Sequence, residues 1–124
     1  MPLLPIFEKE PRVTVAEGDY LFREGDTPDF LYYLLSGRAR MLVGTREIEV
    51  FGPRQIVGEM ALLGNTPRSG SIQALTACEF ARIDEKRFLH LVTMTPGFAI
   101  TVMRVMAKRL QAANVNQAAP AANN

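Results

Sequence analysis

A chain of 124 residues is long enough for one domain with a real core and too short for two. Fourteen basic residues against thirteen acidic ones leave a formal charge of +1, which argues against a general nucleic-acid binder with its basic excess. A single cysteine, Cys78, cannot make an internal disulfide, which fits a reducing compartment.

The chain opens with Met1-Pro2-Leu3-Leu4-Pro5-Ile6-Phe7. It lacks the charged start and the length of a signal peptide. Pro2, Pro5 and Pro11 favour an extended or turning lead-in. Leu3, Leu4, Ile6 and Phe7 are too apolar for a free tail and are expected to pack on the domain, as a short helical turn.

From Arg12 to Asp84 the text reads as short strands punctuated by glycine. Val13-Thr14-Val15 precedes the turn Glu17-Gly18-Asp19. Tyr20-Leu21-Phe22 precedes Glu24-Gly25-Asp26. Phe30 to Leu35 is a β-rich apolar run ending at Ser36-Gly37. Ala39–Val43 and Arg46–Phe51 flank Gly44-Thr45, a two-residue hairpin turn. Ser71–Thr76 and Cys78–Ile83 make a last pair. This spacing predicts a compact antiparallel sandwich or barrel.

Between these strands lies the stretch Val57 to Ser71, whose parts suit a phosphate. A short helix after Gly58 would leave its first backbone N–H groups without intrahelical partners, which favours an anion. Gly58 lets a ligand approach its backbone. Arg68 offers a planar fork of donors that matches phosphate oxygens two at a time. Glu59 would repel a phosphate, so it must serve another part of the ligand, and a sugar hydroxyl is the natural candidate.

Two helices close the domain. Asp84 is a fitting N-cap for Glu85–Thr93, whose Phe88, Leu89 and Val92 can share a face. Thr95-Pro96 starts a second helix running to about Ala113. Its expected inner face is Ala99, Val102, Met103, Met106, Leu110 and Ala113, with Arg104 and Lys108 opposite. Its most apolar stretch is short and carries Arg104, so no membrane span is expected. The tail 115–124 is low in complexity and expected to be disordered.

Enzyme chemistry finds little support. His90 is the only histidine and Cys78 the only cysteine, too few ligands for a metal site that needs several histidines. No Ser-His-acid set and no paired carboxylates with an orienting partner are present. The expectation is a non-enzyme with no cofactor and no metal.

Gly58-Glu59-Met60-Ala61-Leu62 and Pro67-Arg68-Ser69-Gly70-Ser71 resemble the phosphate-binding cassette of the cyclic nucleotide-binding domain family, with its pattern G-E-x-A-L, spacer, P-R-[ST]-[AG]-[ST]. Glu24-Gly25-Asp26 and Leu31-Tyr32-Tyr33-Leu34-Leu35-Ser36-Gly37 look like that family's E-G-D and L-Y-x-(hydrophobic)-x-S-G signatures. Gly18, Gly25 and Gly37 fall at its turn glycines. The resemblance implies a mainly β fold with flanking α helices: an antiparallel β-roll carrying the cassette, then C-terminal helices, over residues 1–114. It implies that Arg68 and Ser69 hold a cyclic phosphate and Glu59 the ribose 2′-hydroxyl. Backbone groups near Gly58, Met60 and Ala61 would complete the pocket. The family's last helix moves over the nucleotide as a lid; the Met103/Met106 stripe is expected to be core, and the alternative use is that a Met, Leu110, Gln111 or Asn114 meets the base.

The family usually carries Gly-Asp shortly before the cassette. Here Gly52-Pro53 is followed by Arg54-Gln55, and an arginine at a turn-glycine position requires a different turn or a strained backbone.

The expected ligand is cyclic AMP. Cyclic GMP is the alternative, because the Ser69 hydroxyl can reach a phosphate or a guanine amino group. The expected function is a stand-alone cytoplasmic sensor that shifts its C-terminal helices and acts through an effector protein, as a monomer or weak dimer. Direct DNA binding is not expected, since the sequence shows no DNA-reading helix pair after the domain, and a fragment of a larger protein is the alternative to a stand-alone chain. The competing reading is a structural or protein-interaction roll that no longer binds nucleotide.

Overall fold

The computed structural model describes residues 4–122, with side chains for residues 5–112. Its elements are α1 (Leu4–Phe7), β1 (Arg12–Val15), β2 (Tyr20–Phe22), β3 (Leu31–Ser36), β4 (Ala39–Val43), β5 (Arg46–Phe51), β6 (Ile56–Val57), α2 (Glu59–Gly64), β7 (Ser71–Ala74), β8 (Cys78–Ile83), α3 (Glu85–Met94) and α4 (Gly97–Ala122). The strands form two antiparallel four-stranded sheets, ordered β1-β8-β3-β6 and β2-β7-β4-β5. The expected roll with flanking helices is the fold the chain adopts. The expected strands are all present, and the two-residue β6, too short to leave a periodic signal, is an addition.

The run on β3 explains how the layers meet. Its Leu31, Tyr32, Tyr33 and Leu34 are all buried, which a strand with one wet face could not achieve. Tyr32 and Leu34 point between the sheets, with Val15, Ala39, Phe51, Val57, Ile72 and Phe80. Leu31 and Tyr33 point the other way, against Phe7, Leu62, Leu91, Phe98 and Val102 of the helices. The strand is therefore the shared wall of two cores. On the helical side the Phe7 ring stacks on Tyr33 at 4.5 Å and meets Phe98 edge-on at 5.7 Å. Ile6 and Phe7 thus pack as expected, whereas Leu3 and the side chain of Leu4 lie outside what is described.

Asp84 caps α3 as expected, its carboxylate accepting from the Arg87 backbone N–H at 2.7 Å. The inner face of α3 differs from the expected one. Leu91 is buried with Phe88 and Val92 beside it, whereas Leu89 is 61% exposed. Residues 88, 91 and 92 are helical neighbours, and position 89 turns away.

α4 also departs from expectation in its face and its length. Phe98 and Val102 are its buried residues, Met106 is half-buried, and Met103 and Leu110 are 54% and 55% exposed. Apolar residues surround this helix on most sides, so periodicity alone could not choose the face. The helix continues to Ala122, past the expected end near Ala113, through a stretch rich in alanine, the best helix former. Among the described residues no helix is long and apolar enough to cross a membrane.

Candidate ligand-binding site

The sequence-selected residues Gly58, Glu59, Met60, Ala61, Arg68 and Ser69 all line one cavity of about 730 Å³. They come together because β6 runs directly into α2 and the chain then returns through a turn to β7. Gly58 is the N-cap of α2 with φ 80°, a left-handed conformation open to glycine. A Cβ there would come within 2.6 Å of an Arg68 Nη. Asn65 ends the helix with φ 51°, its N–H bonded back to Leu62.

Arg68 is buried although it carries a charge, with 4% of its surface exposed. Its backbone is pinned to the turn after β2: its N–H donates to Asp26 O at 2.9 Å and its carbonyl accepts from Gly25 at 2.8 Å. The guanidinium lies 4.0 Å over the Phe22 ring. One Nη donates to Gly58 O at 2.8 Å and the other to Phe30 O. Its Nε has no partner among the described residues. Burial holds its pKa below the usual arginine value, with Tyr32, Asp29, Asp26 and Glu59 opposing.

Glu59 is fully buried. One carboxylate oxygen accepts from Arg109 of α4, which also donates to Ile56 O and lies 5.2 Å from the centre of the Phe51 ring. The other oxygen, Oε2, is unpaired. Burial pushes the Glu59 pKa up, Arg109 pulls it back, and nearby Glu49 adds to the rise. Met60 is 44% exposed, Ala61 is buried, and Ser69 is exposed at the cavity wall. Ser71 instead holds the scaffold, accepting from the Glu24 backbone N–H at 2.8 Å.

Arg54 resolves the departure noted in the sequence. It adopts φ 74° and its N–H donates to Leu34 O at 2.8 Å, so the glycine-type turn is kept with a strained residue in it. Gln55 closes the same turn, its Oε1 accepting from Gly52 N–H at 2.7 Å.

The α4 side of the cavity is built from residues other than the apolar stripe expected to face inward. Val105, Lys108, Arg109 and Ala112 of α4 line it, not Met103 or Leu110, which face outward; Asn114 lies outside the described side chains. Lys108 is accordingly not on the opposite face. The spacing 105, 108, 109, 112 is a helical stripe, a signal the competing apolar stripe concealed.

The cyclic nucleotide-binding domain family model matches residues 12–94. The solved catabolite activator protein of Thermus thermophilus superposes with a TM-score of 0.84 at 26% identity, over 94% of this chain and 62% of that one. The EAL enzyme Bd1971 in its cAMP-bound form gives 0.63 at 31% identity, over 83% of this chain and 29% of that one. A cAMP-dependent protein kinase regulatory subunit from Eremothecium gossypii is 30% identical, over 63% of this chain and 17% of the relative. A lysophospholipase of Neurospora crassa is 29% identical over 81% of this chain, which spans 7% of that protein's length.

Proposed function

Because this chain belongs to the cyclic nucleotide-binding domain family, we propose that it is a cyclic AMP sensor that repositions α4 on binding and acts through a partner protein. The observation that carries the reading is a pair of orphaned polar atoms. Buried polar groups are almost always hydrogen-bonded. Here Glu59 Oε2 and Arg68 Nε are the buried side-chain atoms without a partner among the described residues, and both residues line the same cavity. One is an acceptor and the other a donor on a cation. A sugar hydroxyl beside a phosphate supplies the complementary donor and acceptor in one molecule.

In this reading Arg68, Ser69 and the first backbone N–H groups of α2 hold the phosphate, and Glu59 takes the 2′-hydroxyl. The choice of cyclic AMP over cyclic GMP draws on the kinase regulatory subunit named for cyclic AMP, since Bd1971 is solved with either nucleotide. Coupling to α4 follows from Arg109, which reaches from that helix to the carboxylate the sugar would use. A ligand shifts α4 only by its differential affinity for the two positions. The domain itself performs no reaction and works in the cytoplasm, the compartment its lone buried thiol suits.

Isothermal titration of the purified protein with cyclic AMP, cyclic GMP and 5′-AMP tests the reading. Saturable heat with cyclic AMP and none with 5′-AMP is expected, and Arg68→Ala should weaken binding by about 2–5 kcal/mol. No heat from a folded, nucleotide-free sample would leave the roll as an interaction module.

A further inference from the structure

The cavity floor on the second sheet is a row of side chains, one from each strand. Phe22 of β2 pairs with Ile72 of β7, Ile72 with Met41 of β4, and Met41 with Glu49 of β5. All four line the cavity. Three inter-strand spacings make the row about 14 Å long. Its ends differ chemically. At Phe22 stands the Arg68 guanidinium. At the far end stands Glu49, a carboxylate on the edge strand, and the two residues between are apolar.

Glu49 makes no hydrogen bond or ion pair among the described residues. Its neighbour Glu47 pairs with Arg40, and Glu59 pairs with Arg109. Arg54 and Lys108 also line the cavity, yet neither lies within ion-pair distance of Glu49. A half-buried carboxylate facing a ligand cavity without a protein partner is a free acceptor.

We propose that Glu49 reads the base, accepting a hydrogen bond from an exocyclic amino group at purine C6. The inference rests on the cyclic nucleotide reading above. With the phosphate at Arg68 and the nucleotide extended along the row, sugar and base cross Ile72 and Met41. The C6 substituent, the part of the purine farthest from the phosphate, then reaches Glu49. An ionised carboxylate accepts and cannot donate. An amino group there is a matched donor, whereas the C6 carbonyl of guanine would set oxygen against oxygen. With Glu49 opposite C6 itself, and the N1–H and C2 amino donors of guanine turned to the side, the carboxylate favours the adenine type of base.

The test compares cyclic AMP with purine riboside 3′,5′-cyclic monophosphate, which lacks only the C6 amino group, and with cyclic GMP. Wild type, Glu49→Ala and Glu49→Gln are titrated, with thermal melting to show that each is folded. Wild type should bind cyclic AMP at least tenfold tighter than the des-amino analogue, the range of a hydrogen bond to a charged group. In Glu49→Ala that ratio should fall towards one, through weaker cyclic AMP binding with the analogue unchanged. Glu49→Gln keeps an acceptor oxygen and should lie between. An equal ratio in wild type and Glu49→Ala overturns the assignment while leaving the sensor intact. So does a wild-type preference for cyclic GMP that Glu49→Ala abolishes. Failure of all three nucleotides to bind wild type overturns both readings.

Discussion

Arg109 of α4 donates to the buried carboxylate of Glu59 at the start of α2, fifty residues earlier in the chain. The pair joins the closing helix to the cassette. It also sets how Glu59 titrates. Burial raises its pKa above the ordinary 4.5 and Arg109 opposes the rise. A carboxyl whose folded pKa is raised contributes stability that is fully present below the unfolded value and lost as pH rises through the folded one. Relative to Glu59→Gln, the wild type should therefore lose stability as pH climbs upward from about 4.5. Arg109→Ala removes the opposing charge and should push the pKa of Glu59 further up and steepen that loss. Urea denaturation across a pH series measures both, and a flat difference curve would remove Glu59 as the titrating group.

Arg68 is a structural tie as well as the expected phosphate anchor. Its two Nη groups hold the carbonyls of Gly58 and Phe30, which join α2 to the entry of β3. Lysine cannot reproduce that fork. Arg68→Lys should lower the unfolding free energy by about 2 kcal/mol, the scale of a buried hydrogen bond from a charged donor. Chemical denaturation without ligand isolates this effect from any loss of binding.

Gly58→Ala attacks the same junction from the backbone. At φ 80° an alanine is strained by about 1–2 kcal/mol. Its Cβ would also press on the guanidinium of Arg68. The variant should melt lower and bind ligand more weakly. Binding unchanged in the face of lower stability would show that Arg68 can shift without cost to the site.

Arg54→Gly should act in the opposite direction. Relief of the left-handed strain at φ 74° offers about 1–2 kcal/mol. The extra freedom of glycine in the unfolded chain takes back about 0.5–1 kcal/mol. A net gain of about 0.5–1 kcal/mol is expected from the same denaturation measurement, with the turn at Gly52–Gln55 preserved.

What could be read before the structure depended on how far apart the cooperating residues lie. Gly58, Glu59, Arg68 and Ser69 fall within one short stretch, so their spacing already carried the geometry. The strain at Arg54 was also legible, because a turn position and a residue type conflicted locally. Arg109 was not, because nothing near it in the chain marks it as a partner of Glu59. Met103 and Leu110 offered a second apolar stripe on α4, and only packing against the roll decides between the stripes. Leu89 and Leu91 show the same ambiguity within one helical turn. Glu49 sits in a strand where alternating charge reads as an ordinary wet face until the row from Phe22 is assembled.

The stack of Phe7 on Tyr33, with Phe98 against its edge, brings the lead-in and the root of α4 to one joint. Glu10 and Arg87 lash the neighbouring segment to α3 with paired contacts of 2.9 and 2.8 Å. A segment fused ahead of α1 would therefore bear on the same aromatic cluster that seats the first turn of α4. Cargo fused at the front of the chain would thus meet the packing that anchors α4, and not a free end.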